Sequence, residues 1–198
     1  MIATLFDYGA GNLHSLAKAL DRNGVPVRIE ADPTRLAAAE LLVLPGVGAF
    51  GSAARALAPG RLALRSALDA GLPGIGICLG MQLLFDSSEE GQGEGLGVIA
   101  GRVTALNARR VPQIGWNALD DPRDPAFTAA PLATAYFANG FACRPEDLSV
   151  VIAWSTHETD RFPAAVRRGR VMGIQFHPEK SSDDGVRFLG ACVREVTR

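Results

Sequence analysis

The chain has 198 residues, 47% of them hydrophobic and 21% charged, with a formal net charge of −1. These proportions are those of globular domains, and a chain of this length buries a core without disulfide or metal staples. The near-zero charge predicts no general attraction to nucleic acid or to anionic membranes. The two lysines, Lys18 and Lys180, follow alanine and glutamate, which excludes the Gly-Lys-Ser/Thr sequence of a phosphate-binding loop.

Cysteine usage and hydropathy predict the cellular setting. Three cysteines, Cys78, Cys143 and Cys192, are odd in number and far apart, which favours a reducing, cytoplasmic compartment and argues against a zinc site. Residues 1–7 contain no basic n-region and predict a strand instead of a signal peptide. The longest uncharged stretch, residues 125–143, is too polar for a membrane helix. We therefore expect no membrane association and no cofactor.

Up to about residue 90, short apolar runs alternate with helical stretches. This pattern predicts a parallel sheet with helices on both faces. A continuous apolar run such as residues 41–44 is typical of a strand buried on both sides. The predicted strands are residues 2–6, 25–30, 41–44 and 74–77, and the predicted helical segments are residues 13–22, 34–39, 52–70 with a break near Pro59-Gly60, and 79–85.

The second half of the chain is richer in predicted strands. Residues 91–97 carry too many glycines for a regular element and mark a loop. Strands are predicted near residues 98–105, 114–119, 134–138, 148–154 and 171–176, with a hairpin over residues 165–170 and a closing helix over residues 184–196. We expect one α/β domain, residues 1–198, with an open, mostly parallel sheet, helices on both faces and a β-rich second half.

A glycine pair near the N-terminus resembles part of a nucleotide-binding motif. Gly9-Ala-Gly11 follows a predicted strand and opens a helix, and Glu30 lies at about the 20-residue distance of the dinucleotide fingerprint. However, the third glycine is replaced by His14, which would hinder close packing of the helix on the strand. A tight turn is the better interpretation, with a surface or partner-facing role as the second.

Gly76-Ile-Cys78-Leu-Gly80 lies between a predicted buried strand and an apolar helix. Small residues two positions before and after a nucleophile allow the sharp strand-to-helix turn of a nucleophile elbow. The turn places the sulfur at the carboxyl edge of the sheet and at a helix N-terminus, which favours the thiolate. An arbitrary cysteine is more often a small buried hydrophobe, but the glycine frame predicts that Cys78 is a nucleophile.

A cysteine nucleophile needs a base, and the chain has three histidines. His14 lies in the first predicted helix, and His157 lies in a polar stretch that predicts a solvated turn. His177 directly follows the last predicted strand, at the sheet edge where Cys78 emerges. Glu179 is placed to orient the imidazole as the third member of a triad. A structural histidine is the alternative interpretation of His177.

This elbow together with His177-Pro-Glu179 is the pattern of class I, or triad, glutamine amidotransferases. Further motifs, spread over nearly the whole chain, resemble most closely the members of this family that serve histidine biosynthesis. The resemblance implies a flavodoxin-like α/β fold. The motifs are residues 7–12, 44–51, 76–85, 88–91, 111–117 and 176–181.

The resemblance implies a glutaminase that releases ammonia through a cysteine thioester. Cys78 would attack the side-chain amide of glutamine, His177 would transfer the proton, and Glu179 would hold His177. By the same resemblance, the oxyanion hole would consist of Val47, Gly48 and Leu79, and the glutamine-binding residues would be Gly46, Gln82, Glu90, Gly140 and Phe141.

The family members that serve histidine biosynthesis do not act alone. The resemblance implies a heterodimer with a (β/α)₈ cyclase subunit that receives the ammonia, with Asn12 and Lys180 at the interface. On sequence alone, Glu90 and Lys180 are equally compatible with ordinary solvated surface charges. The glycine-flanked Val47 peptide can leave the oxyanion hole incomplete, which predicts low basal activity until the partner and its ligand bind.

The sequence departs from the family pattern at two places. Residues 136–141 are Tyr-Phe-Ala-Asn-Gly-Phe where the family usually has Tyr-Phe-Val-His-Ser-Tyr, and Gln113 stands where histidine is common. Backbone contacts from Gly140 and Phe141 would survive, whereas side-chain hydrogen bonds from histidine, serine and tyrosine would be lost. The triad is intact, so we expect the activity to be kept.

Two alternatives stay open. The first is a glutaminase subunit of another class I amidotransferase, serving anthranilate, aminodeoxychorismate or pyridoxal phosphate synthesis; residues 7–12, the Gly-Trp-Asn run and Lys180 argue against it. The second is a non-catalytic scaffolding subunit, which only the altered residues 139–141 favour.

Overall fold

The computed structural model describes residues 1–9 and 13–198 of an α/β protein. The helices are α1 (His14–Asp21), α2 (Phe50–Leu57), α3 (Arg61–Asp69), α4 (Leu79–Gln82), α5 (Pro125–Ala129) and α6 (Ser182–Thr197). The strands are β1 (Ala3–Phe6), β2 (Val27–Glu30), β3 (Leu41–Leu44), β4 (Gly74–Ile77), β5 (Ser87–Ser88), β6 (Gly101–Ala105), β7 (Gln113–Ala118), β8 (Thr134–Asn139), β9 (Phe141–Pro145), β10 (Val151–His157), β11 (Asp160–Arg168) and β12 (Val171–Ile174). Short 3-10 turns cover Pro33–Ala38, Ala58–Gly60, Leu148–Val150 and Pro178–Lys180.

A seven-stranded sheet runs through the centre in the order β10-β11-β12-β4-β3-β1-β2. From β12 to β2 the strands pair in parallel, whereas β10, β11 and β12 pair antiparallel. Parallel pairing brings the carboxyl ends of β1, β3, β4 and β12 to the same edge of the sheet. In open α/β folds this is the edge that carries ligands and chemistry.

Two apolar cores cover the two faces of the sheet. Along β3, Leu41 and Val43 belong to one core and Leu42 and Leu44 to the other, because successive side chains of a strand point to opposite faces. Helices α1, α5 and α6 pack on the first face, and α2, α3 and α4 pack on the second. Burial on both sides explains why β3 has the continuous apolar sequence Leu-Leu-Val-Leu.

The β-rich second half adds a three-stranded sheet, β5-β6-β9, and the antiparallel pair β7–β8. The pair β7–β8 lies beside the carboxyl edge of the main sheet, since the His177 backbone N–H donates to the Tyr136 carbonyl over 2.8 Å. Its outer face exposes Ile114 and Trp116.

The predicted fold class and most of the predicted elements are confirmed, but several bounds differ. The helix predicted over residues 79–85 ends at Gln82, and residues 98–100 lie outside β6. Residues 148–150 form a 3-10 turn that Asp147 caps through the Ser149 N–H, so the strand begins only at Val151. Within residues 1–9 and 13–198, no helix is long and apolar enough to cross a membrane.

Some elements were missed, and the solvated turn predicted around His157 is present but shorter than the polar stretch, residues 156–160, that predicts it. His157 ends β10 and Asp160 begins β11, so only Glu158 and Thr159 connect the two strands. Strand β9 contains Arg144 and a proline, and its pairing with β6 makes it a strand despite this unfavourable composition. Helix α5 has one turn capped by the Asp124 side chain, too short for a hydrophobic period.

Phe188 of α6 is fully buried, with its ring centroid 4.5 Å from Phe127 and 5.7 Å from Phe176. We expect Phe188→Ala to lower the free energy of unfolding by about 3–5 kcal/mol, since it removes a large buried side chain and leaves a cavity. Urea unfolding measures this difference. The control is Leu62→Ala, at a residue 69% exposed on α3, which should change stability by less than about 0.5 kcal/mol. Equal effects of the two variants would contradict this view of the core.

Candidate active site

Cys78 lies in a sharp turn between β4 and α4. Its backbone has φ 48° and ψ −105°, a strained conformation for a residue with a side chain. A Cβ atom at Gly76 would collide with the Gly80 carbonyl, and one at Gly80 would collide with the Leu44 carbonyl. The backbone can therefore turn here only because both flanking residues are glycines, as the elbow motif predicts.

His177 emerges at the end of the strand next to β4. The residue follows β12, and its imidazole Nδ1 lies 2.8 Å from Glu179 Oε1 within the following 3-10 turn. The imidazole also interacts with the Cys78 side chain, and this interaction raises the pKa of His177. The structure thus brings the predicted nucleophile, base and carboxylate together in one row. The side chains of His177 and Glu179 are only 3% and 8% exposed.

The electrostatics of this row favour a protonated imidazole. Burial on its own lowers the pKa of His177, but the hydrogen bonds to Cys78 and Glu179, and the negative charges of both groups, outweigh it and raise the pKa to about 9. The second oxygen, Glu179 Oε2, is buried without a hydrogen-bond partner among the described residues. The other two histidines lie elsewhere: His14 begins α1, and His157 Nε2 lies 2.7 Å from the Arg110 carbonyl.

The predicted oxyanion loop follows β3 and lies against the nucleophile. A Cβ atom at Gly46 would approach Cys78 Cβ to 2.9 Å and His177 Cε1 to 3.0 Å, so only glycine fits between the two. Gly48 has φ +103°, and Leu79 starts α4 directly after Cys78.

A tyrosine that the sequence analysis did not identify holds the oxyanion loop. The Tyr8 hydroxyl donates to the Pro45 carbonyl, and the phenol also interacts with the Val47 backbone, which lowers its pKa. Burial, the largest influence, raises the pKa of the phenol far above its usual range, while the bond to Val47 lowers it. Tyr8 packs edge to face on Phe6, which fixes the ring.

A small cavity of about 90 Å³ opens beside the sulfur. All the residues predicted to bind glutamine or the oxyanion line this cavity, except Val47. The complete lining is Gly46, Gly48, Cys78, Leu79, Gln82, Glu90, Ala138, Asn139, Gly140 and Phe141. A larger depression of about 780 Å³ lies between residues 107–110 and the β10–β11 turn, but no nucleophile lines it.

Gln82 and Glu90 have structural partners as well as places in the cavity wall. Gln82 Nε2 donates to the Phe141 carbonyl over 3.3 Å and to Gln175 Oε1 over 3.4 Å. Glu90 Oε2 accepts the Phe50 N–H over 2.8 Å, at the first residue of α2. Glu90 is therefore an ordered carboxylate at the cavity, although its neighbour Glu89 is an equally good surface residue by sequence.

Gln175, which none of the sequence motifs predicts as a site residue, is fully buried between β12 and His177. Its Nε2 donates to Cys78 Sγ over 3.5 Å. The signal was present in the sequence, since Gln175 is the single polar side chain between Val171 and Phe176 in an otherwise apolar run. A buried amide needs partners, and this requirement marks the position.

The altered segment, residues 139–141, is ordered by its own hydrogen bonds. Asn139 Nδ2 donates to the Phe141 carbonyl over 3.0 Å, and Asn139 faces Gln113 across the β7–β8 pair. Asn139 Oδ1 and Gln113 Oε1 are both buried without a partner among the described residues.

The predicted interface residues can be placed only in part. Asn12 lies outside the described residues. Lys180 is exposed, with its ammonium 5.9 Å from the Tyr136 ring centroid. On the same side of the β7–β8 pair, Ile114 and Trp116 are 68% and 55% exposed.

The pKa of His177 provides a test of the ion pair between His177 and Glu179. Because this pKa is about 9 in the folded chain and 6.5 as its ordinary value, the protonated imidazole stabilises the fold fully below pH 6.5. That contribution is lost as the pH rises through about 9.

We expect Glu179→Gln to lower the midpoint of the His177 ring titration in NMR spectra, since it removes a charge and weakens a hydrogen bond. Glu146→Gln, on the surface, should leave it near 9, and an unshifted midpoint in Glu179→Gln would refute the ion pair.

Comparisons with known proteins agree with this geometry. The family model described as class-I glutamine amidotransferase matches residues 4–194. The imidazole glycerol phosphate synthase subunit HisH of Symbiobacterium thermophilum is 45% identical over 198 residues, covering 97% of this chain and 93% of that protein. The corresponding subunit of Rhodopirellula baltica is 44% identical over 193 residues, covering 94% of each chain.

Solved structures share the fold at low sequence identity. The crystal structure of a glutamine amidotransferase has a TM-score of 0.74 at 19% identity and covers 98% of this chain and 100% of its own. The glutaminase domain of Trypanosoma brucei CTPS has a TM-score of 0.66 at 17% identity, covering 98% and 94%. With the match of the family model and the identity of full-length relatives, the chain belongs to the class I glutamine amidotransferase family.

Proposed function

We propose that the chain is the glutaminase subunit of an imidazole glycerol phosphate synthase, acting in the cytoplasm in histidine biosynthesis. The observation that carries the proposal is the buried row Cys78–His177–Glu179 beside a cavity lined by the residues predicted for glutamine. Full-length relatives with 40–45% identity that carry this name support the choice within the family.

The geometry supports a two-step hydrolysis. The Cys78 thiolate attacks the δ-carbonyl of glutamine, and the negative charge moves to the carbonyl oxygen. Protonated His177 gives its proton to the leaving nitrogen, ammonia departs, and a thioester stays on Cys78. Neutral His177 then takes a proton from water, which attacks the thioester and releases glutamate. Glu179 holds the ring so that Nδ1 is occupied and Nε2 serves the reaction.

The oxyanion would be held by backbone N–H groups of Leu79 and of the loop at Val47 and Gly48. Backbone donors placed where charge develops are the largest single contribution in many acyl transfers. Their preorganisation here depends on Gly46, which lets the loop approach Cys78 closely.

The amino-acid end of glutamine fits the remaining residues of the cavity. Both amide protons of Gln82 have protein acceptors, Phe141 O and Gln175 Oε1, so Gln82 offers a ligand only its oxygen. An acceptor oxygen and the Glu90 carboxylate together suit the α-ammonium group. Backbone groups of Gly140 and Phe141 would then meet the α-carboxylate.

The ammonia would pass to a (β/α)₈ cyclase subunit in a heterodimer. The outer face of the β7–β8 pair exposes Ile114 and Trp116, and Lys180 lies against Tyr136, the strand partner of Trp116. A patch that joins exposed large apolar side chains to a cation is typical of a protein interface. Asn12 and Lys180 stay our proposed interface residues.

Glutamate release from glutamine tests the activity. The chain is assayed alone and with a purified imidazole glycerol phosphate cyclase subunit and its nucleotide ligand. We expect the ligand-bound partner to raise the rate, and Cys78→Ala to lower it at least about 1000-fold, because the nucleophile is lost. Cys192→Ala, a buried cysteine in α6, is the control and should keep activity. If the Cys78→Ala variant released glutamate from glutamine as fast as the wild type, catalysis by this chain would be refuted.

Tyr8→Phe tests the expected low basal activity. The Tyr8 hydroxyl donates to the Pro45 carbonyl and interacts with the Val47 backbone, so it holds the loop that is expected to bind the oxyanion. Removing the hydroxyl should raise glutamine hydrolysis by the isolated chain several-fold, since one hydrogen bond is worth about 0.5–1.5 kcal/mol. The rate with the partner should change less. A Tyr8→Phe chain with an unaltered or slower basal rate would show that Tyr8 does not restrain the loop.

A further inference from the structure

Gln175 has a place that packing alone does not explain. The side chain is 0% exposed and lies between β12 and His177, where an apolar residue would fill the same volume without the cost of burying an amide. Its backbone N–H already bonds the Ala164 carbonyl over 2.9 Å, so the side chain is not needed to secure the chain there. Neither packing nor backbone hydrogen bonding therefore explains why a buried amide group stands at position 175.

Both ends of the Gln175 amide contact residues of the active site. Nε2 donates to Cys78 Sγ over 3.5 Å, and Oε1 accepts from Gln82 Nε2 over 3.4 Å. A donor to sulfur stabilises the thiolate more than the thiol and fixes the direction of the side chain. Because Gln175 Oε1 accepts from Gln82 Nε2, the Gln82 nitrogen is held there and the Gln82 oxygen is left to face the cavity.

The side-chain amide of Gln82 has two hydrogen-bond acceptors, Gln175 Oε1 and the Phe141 carbonyl. Gln82 Nε2 also donates to the Phe141 carbonyl, which in turn accepts from Asn139 Nδ2. The resulting network, Cys78–Gln175–Gln82–Phe141–Asn139, joins the nucleophile to the wall of the cavity through buried amides. Low local dielectric strengthens each bond in such a network, and a missing member leaves its neighbours unsatisfied.

We infer that Gln175 is a positioning residue that orients Cys78 for attack and orients Gln82 for binding glutamine. The inference rests on the proposed glutaminase function and adds to it a residue outside the Cys-His-Glu row. It implies that one substitution at position 175 affects two measurable properties, the reactivity of the sulfur and the affinity for the substrate.

The first measurement needs no glutamine turnover. The rate at which iodoacetamide alkylates Cys78 is followed against pH, with mass spectrometry to separate Cys78 from Cys143 and Cys192. We expect Gln175→Met, which keeps the shape and removes both hydrogen bonds, to move the midpoint of this profile upward by about one pH unit, the effect of a tenfold loss of thiolate. Among the described residues, the titratable groups His177, Tyr8 and Cys143 interact electrostatically with Cys78, and the variant changes none of them.

The matched control makes the same chemical change at another buried glutamine. Gln113 is 4% exposed in β7, and its Oε1 has no partner among the described residues. Gln113→Met should leave the alkylation profile in place. Thermal unfolding of both variants shows whether they are folded, so that a global loss of structure is not mistaken for a local effect.

The second measurement is steady-state glutaminase kinetics with the activating partner. Gln175→Met should lower kcat about tenfold or more and raise KM, whereas Gln82→Met should act mainly on KM. In the double variant the two effects on KM should be less than additive, because both substitutions break the same bond. An unshifted alkylation midpoint with unchanged kcat and KM in folded Gln175→Met would overturn the inference and leave Gln175 a space-filling residue.

The two proposals fail in different ways. If no mixture hydrolyses glutamine, the proposed function fails, and the alkylation profile alone still decides whether Gln175 acts on the sulfur. If the wild type is active but Gln175→Met matches it in both measurements, only the role of Gln175 is refuted.

Discussion

Parallel pairing of β4 with β12 is the constraint on which the rest of the site depends. Ile77 lies opposite Ile174, and the Cys78 N–H donates to the Ile174 carbonyl over 2.6 Å. This register places Cys78 one residue past the end of β4 and His177 three residues past the end of β12. The two residues are far apart in sequence, and a slip of the pairing would carry them apart and turn side chains to the other face.

Backbone groups form part of the cavity wall, and this explains how the altered residues 139–141 are accommodated. The Phe141 carbonyl accepts hydrogen bonds from Gln82 and from Asn139, so the peptide is fixed whatever side chain stands at position 141. Asn139, the last residue of β8, donates this bond to the first residue of β9, so an amide side chain stands here in place of the imidazole usual in the family. Fixed peptides with variable side chains keep a site functional while its sequence changes.

The sequence predicts the parts of the site whose signals are local. A glycine frame marks Cys78, and a strand followed by His-Pro-Glu marks His177 and Glu179, because each motif is contiguous. Tyr8 was missed because its importance comes from a contact with Pro45, which is distant in the chain. For Gln175 the local signal, one polar side chain in an apolar run, marks the position, but its contact with the distant Cys78 gives it a role. Strand β9 was missed for the same reason as Tyr8: a partner strand, and not its composition, makes it a strand.

The hydrogen bond between Glu90 and the Phe50 N–H has a mechanical consequence. Glu90 directly precedes the glycine-rich residues 91–97 on one side of the cavity, and Phe50 begins α2, which follows the predicted oxyanion loop on the other side. A carboxylate at a helix start is stabilised there by the free N–H groups and the helix dipole. The bond connects the two segments, so a ligand that displaces the carboxylate also displaces the loop beside Cys78. Under the proposed function, binding of the substrate at Glu90 would therefore be coupled to the shape of the predicted oxyanion loop.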